Sequence, residues 1–151
     1  MELETDDIVD ISPAREKFFG CTGKMLLPGR ATLEKILQAI PAGQLATTDM
    51  LRKTLLEAYQ VQAVCPVTLR KRLLSISKDP RRTAPYWRVV KSSGDLLALP
   101  AQIRAEQIAS LEGENFVIEA SGKHPRVKNF QACLLPDRTV WLNLGIGPNQ
   151  L

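Results

Sequence analysis

Three apolar stripes at helical spacing, lying between Leu33 and Ile76, set the frame into which the rest of the chain must fit. Leu33, Ile36, Leu37 and Ile40 recur at i, i+3, i+4 and i+7, with Thr32 as candidate cap and Pro41-Ala42-Gly43 as the stop. That spacing lines up one buried face of an α-helix. Thr47 or Thr48 caps a second helix whose stripe is Leu51, Leu55 and Ala58 or Tyr59. Pro66 opens a third: Leu69, Leu73 and Ile76 share one side, Lys71, Ser75 and Lys78 oppose them, and Arg70 lies on the flank. Two consecutive helices joined by a brief connection, the second with a basic outer face, predict a helix-turn-helix.

Around this unit the punctuation is clear. Residues 1–11 read as a flexible acidic arm, Ser12-Pro13 opens a short helix ending by Gly20, and the glycine-rich stretch 20–30 reads as a loop. Trp87–Val90, the turn Ser92-Ser93-Gly94 and Leu96-Leu97 predict a two-stranded wing. A helix from Ala101 to Glu112 stops at Gly113 as a left-handed cap. Phe116–Glu119, Phe130–Leu134 and Val140–Leu144 read as three short strands. The expected class is α+β, mainly helical: a winged helix-turn-helix over 30–116, an acidic arm and N-terminal extension over 1–29, and a small β-rich extension over 117–151.

A chain of 151 residues, 44% of them hydrophobic, buries one substantial core and favours one domain with decorated ends. No stretch is apolar enough to span a bilayer, and the first residues lack the pattern of a secretion signal, so an intracellular protein is expected. Cys21, Cys65 and Cys133 form no CxxC pair, and His124 is the one imidazole, which leaves little for a metal site. The thiols read as reduced and structural, with a reactive Cys65, in its basic neighbourhood, as the alternative.

Charge is distributed unevenly. The first ten residues hold five of the 16 acids and no base, leaving 11 acids against all 20 bases in the remainder. Residues 65–91 alone carry Arg70, Lys71, Arg72, Lys78, Arg81, Arg82, Arg88 and Lys91 against Asp79. One-sign charge at that density points to a polyanion, whose condensed counterions each contact would release; a solvated helix face is the plainer alternative.

Five segments follow one another in a telling order: Ile40-Pro41-Ala42-Gly43 with Ala46-Thr47; Pro66-Val67-Thr68-Leu69-Arg70; Pro85-Tyr86-Trp87-Arg88-Val89-Val90; Ser93-Gly94; and Arg104 with Leu111-Glu112-Gly113. Together they resemble the C-terminal domain of the O6-alkylguanine-DNA alkyltransferases and their alkyltransferase-like relatives. The resemblance implies a winged helix docked in the minor groove of double-stranded DNA. It places Arg70 where the family's arginine finger fills the gap left by an extruded base, with an ordinary phosphate contact or a surface ion pair as alternatives. Thr48, Lys71, Arg72, Lys78 and Arg88 are the further DNA-binding candidates. Pro85, Tyr86, Trp87, Val89, Val90, Ser93 and Glu112 are the candidates for the lesion pocket.

The departures bear on chemistry. The family's acceptor cysteine is Tyr86 here and its histidine is Trp87, with Glu112 alone left of the relay. A phenol, with an ordinary pKa of about 10, is a poor nucleophile at neutral pH. No catalytic residue, cofactor or metal is therefore expected, and the resemblance leans toward the cysteine-lacking relatives, which bind alkylated DNA and flag it for nucleotide excision repair. Tyr86 and Trp87 also read simply as core aromatics. Thr48 replaces the family's tyrosine, and Leu97-Ala98-Leu99-Pro100 replaces its glycine-rich stretch, which alters the pocket rim. A monomer is expected, at the nucleoid in a bacterial cytoplasm or in a eukaryotic nucleus. A winged-helix regulatory or architectural protein without base flipping, and a protein-interaction module using the two extensions, stay open.

Overall fold

The computed structural model describes residues 5–119 and 124–136 together with Trp141, Leu144 and Ile146. The three apolar stripes form the expected helices: α2 (Arg30–Gln38), α3 (Thr48–Tyr59) and α4 (Pro66–Lys78). They follow a short α1 (Pro13–Phe19), which ends at Gly20 in a left-handed conformation that an L side chain resists. Leu33, Ile36, Leu37, Leu51, Leu55, Leu69, Leu73 and Ile76 all face one core, joined there by Ile40 and Tyr59. Thr47 is the cap of α3, its hydroxyl accepting from the Met50 N–H at 3.1 Å. Thr32 is not the cap of α2. Gly29 occupies that position, and the Thr32 hydroxyl, inside the first turn, donates to Asp6.

Packing of α2 on α4 is locked by Arg30, which donates to Glu34 at 2.9 Å, to Ser75 at 3.2 Å and to Asp79 just beyond the end of α4. Hydrogen bonds from the Arg81 side chain and N–H, then from Arg30, hold the Asp79 carboxyl well below the usual carboxylate range.

The region before α2 differs from its sequence reading. Asp7–Asp10 is β1, antiparallel to β2 (Lys24–Leu27), and β2 pairs in parallel with β4 (Ala63–Val64) in the connection between α3 and α4. The expected loop at 20–30 thus contains a strand, because its glycines flank the run Lys24–Leu27, whose Met25 and Leu26 are buried. The acidic arm is likewise tied down over its described residues. Asp6 accepts from the Gly29 N–H at 2.7 Å, from Thr32 at 2.8 Å and from the Tyr59 hydroxyl.

Beyond α4, Tyr86–Arg88 forms a 3-10 turn leading to β5 (Val89–Val90), whose partner is β3 (Ala46–Thr47), in parallel. The two-stranded wing from Leu96-Leu97 does not form. Leu96 and Leu97 are buried, the turn Lys91–Asp95 closes on itself through Lys91 N–H to Asp95 O at 2.9 Å, and the backbone after it pairs with the C-terminal segment. α5 (Ala101–Gly113) includes Gly113, and the left-handed residue beyond it is Asn115, at φ +72°. β6 (Ile118–Glu119) pairs with β7 (Arg126–Val127) as an antiparallel ribbon.

Phe130–Cys133 is a single helical turn, α6, rather than a strand. Left-handed Asn129 turns the chain into it, and Phe130 is buried while Gln131 and Ala132 are exposed, so no alternating face exists for a sheet to bury. The strand expected at Val140–Leu144 lies largely outside the described residues. Trp141 itself is buried in the main core, its Nε1 donating to the Ile36 carbonyl at 3.0 Å. A second apolar cluster gathers Leu45, Val90, Leu96, Leu111, Phe116, Val127 and Phe130, and Trp87 packs against both clusters. The architecture is α+β with six helices and small sheets among the described residues. None of the described helices is long and apolar enough to cross a membrane.

Candidate nucleic-acid interface

Helix α3 presents Thr48 and Arg52, helix α4 presents Arg70 and Lys71, and the turn after β5 presents Lys91, Ser92 and Ser93 around one cavity of about 680 Å³. Its apolar wall is Leu69, Leu73 and Leu74 from α4, facing Leu97, Ala98 and Leu99 from the segment before α5. The local reasons are plain. Pro66 starts α4 so that Leu69 and Leu73 turn into the core, which leaves Arg70 and Lys71 on the exposed side. Asp49 pairs with Arg52 at 2.7 Å and with Lys53 at 3.6 Å, so part of the positive charge at α3 is neutralised. Arg70, Lys71 and Lys91 are exposed and make no ion pair among the described residues. Greasy walls under a cationic rim suit a flat, partly apolar group attached to an anionic chain.

Of the DNA-binding candidates, Thr48, Arg70 and Lys71 come together at this cavity, and Ser93 joins them from the pocket candidates. Lys78 is exposed at the far end of α4. Arg72 is turned inward and buried. Arg88 is committed elsewhere: its Nη1 donates to the Ile40 carbonyl at 2.7 Å, and its Nε and Nη2 grip Glu114 at distances down to 2.9 Å. Two hydrogen bonds to one carboxylate and a third to the backbone leave that guanidinium little to offer a phosphate.

The motif aromatics lie behind the cavity rather than on its wall. Tyr86 is 2% exposed, edge-on to Trp87 at 5.5 Å between ring centroids, and its hydroxyl has no hydrogen-bond partner among the described residues. Burial, with a smaller push from Glu106 against the pull of Arg82, raises the Tyr86 phenol above its ordinary value. Trp87 donates through Nε1 to Glu114 at 2.6 Å and is flanked by Arg82 and Arg88, each 5.6 Å from its ring centroid. Val89 and Val90 are fully buried, Pro85 is half-buried, and none of the three lines the cavity.

Glu112 is exposed; the carboxylate that meets Trp87 is Glu114. Glu114 also accepts from the Gly43 N–H at 2.9 Å. Burial alone would push its carboxyl up, but the hydrogen bonds from Arg88, Gly43 and Trp87 outweigh that and lower it. The last of the segments that carry the resemblance ends at Gly113, so only the fold could single out a carboxylate beyond it. Lys91 was visible in the basic run, and Leu97-Ala98-Leu99 as an altered rim, but nothing local tied them to α4.

No protein-family model matches the chain, and comparison with curated proteins and with solved structures returns no match.

Proposed function

We propose that the chain is a non-catalytic DNA-binding protein of alkyltransferase-like type, which docks the helix pair α3 and α4 on a duplex, with the Lys91–Asp95 turn beside them in place of a two-stranded wing, and takes an extruded alkylated base into the cavity. The observation that carries this reading is the cavity itself: apolar walls of a size to admit a base, under the cations Arg52, Arg70, Lys71 and Lys91. Arg70 lines the cavity and is exposed, which supports its reading as the finger that fills the vacated stack. Alkyl transfer has no support, since the residue at the acceptor position is a buried, protonated phenol. Handover of the lesion to excision repair is what the resemblance adds.

The test is a titration of matched duplexes with and without a central O6-methylguanine. Tighter binding of the lesion is expected, with most of the preference lost in Arg70→Ala; equal affinities would remove lesion recognition. A second reading, duplex binding without base flipping, is favoured by the packing of Tyr86 and Trp87 as core aromatics outside the cavity. Fluorescence of 2-aminopurine in the footprint separates the two, because only extrusion unstacks it.

A further inference from the structure

The segment after β6 lies outside the region of the family resemblance, yet it braces the turn that forms one edge of the cavity. Val127 N–H donates to Gly94 O at 3.0 Å, and Leu96 N–H donates to Pro125 O at 3.0 Å, so the Lys91–Leu97 backbone has β7 as its neighbour. Phe130 closes the arrangement from below, its ring lying against Gly94. Along this segment exposure alternates: His124, Arg126 and Lys128 face outward, while Val127 is buried and Pro125 half-buried. The Arg126 guanidinium, 5.8 Å from the Phe130 ring centroid, donates to the carbonyl of Ser93 at 3.1 Å. Ser93 lines the cavity beside Lys91. Glu119, the register partner of Arg126, makes no ion pair with it among the described residues. A strip of cations thus continues from the cavity rim onto the C-terminal ribbon.

We infer that the segment 124–130 is a second arm of the nucleic-acid interface, in which Arg126 and Lys128 contact phosphates of the DNA duplex flanking the cavity. The inference rests on the reading of the cavity as a DNA site. It assigns the C-terminal ribbon the job of the wing, with Lys91 in the turn beside it and Arg126 and Lys128 along its outer face. Phosphate contacts of this kind position the duplex without reading its sequence, and each displaces condensed counterions.

The experiment measures affinity for a lesion-free duplex across a salt series, for the wild-type chain, Arg126→Ala, Lys128→Ala and the control Lys35→Ala on the exposed side of α2. The slope of log affinity against log salt is expected to shrink by about 0.9 for each interface variant and to stay unchanged for Lys35→Ala. Arg126→Gln, which retains a donor for Ser93 O, covers the case in which alanine loosens the turn. Wild-type slopes in the Arg126 and Lys128 variants, alongside reduced slopes in Arg70→Ala and Lys71→Ala, overturn this inference and leave the DNA reading standing. A wild-type chain with no salt-dependent affinity for the duplex overturns both.

Discussion

Tyr86 carries a hydroxyl into the core, where it meets no hydrogen-bond partner among the described residues. A buried, unsatisfied hydroxyl is destabilising, so Tyr86→Phe should raise the unfolding free energy by about 1 kcal/mol, read from urea melts. A loss of that size would mean that the hydroxyl is hydrogen-bonded in solution. The neighbouring Arg88–Glu114 pair behaves oppositely, because both side chains are some 15% exposed and each satisfies the other. Arg88→Met should cost about 3 kcal/mol by leaving the carboxylate without its counter-charge. The sign of the pH dependence follows from the direction of the shift. Glu114 is depressed in the folded chain, so its stabilisation is complete above the ordinary carboxyl value of 4.5 and is lost as pH falls through the lower folded value. Urea midpoints should therefore drop on acidification below that point in the wild type, and less steeply in Arg88→Met.

Among the elements, the turn Lys91–Asp95 depends most on its surroundings. Gly94 sits at φ +88°, and a Cβ placed there would lie 2.3 Å from the Phe130 ring. Gly94→Ala should therefore cost about 2 kcal/mol and displace the turn from Phe130, through the combined strain of backbone and overpacking. Hydrogen exchange of residues 91–97 would report the loosening; protection equal to wild type would show that Phe130 moves aside at no cost to the rim. The contrast with α4 is instructive. That helix keeps its own backbone hydrogen bonds, and its basic face needs only the burial of Leu69, Leu73 and Ile76 on the other side. The rim opposite it is built from two-residue pairings that no single segment can hold alone.

At the scale of the molecule, both extensions are structural parts of the fold. At the N-terminal end Asp6 is fastened onto α2 and α3, and towards the C-terminal end Trp141 is buried with its Nε1 on the Ile36 carbonyl of α2. Leu45 is gripped from the same side, its N–H donating to Cys133 O at 2.8 Å and its carbonyl accepting from Leu135 at 2.7 Å. Removing the indole should open a large void against α2, so Trp141→Ala should cost about 3–5 kcal/mol in equilibrium unfolding. A near-neutral result would show that residues beyond Pro136 contribute little to the core. Such integration explains how a cationic ribbon far along the chain comes to stand beside the turn at Ser93.

The sequence by itself determined the three central helices and the basic outer face of α4. These are local properties: helical periodicity repeats within a few residues, and charge and residue identity need no partner to be read. Tertiary structure decided the rest. It placed β1 and β2 in a sheet where the sequence suggested an arm and a loop, and it set Glu114 against Trp87. It withdrew Arg72 and Arg88 from the surface, and it brought Arg126 to the turn at Ser93. Each of those outcomes depends on a contact between residues distant in the chain, and a strand two to four residues long carries too little pattern to announce its partner.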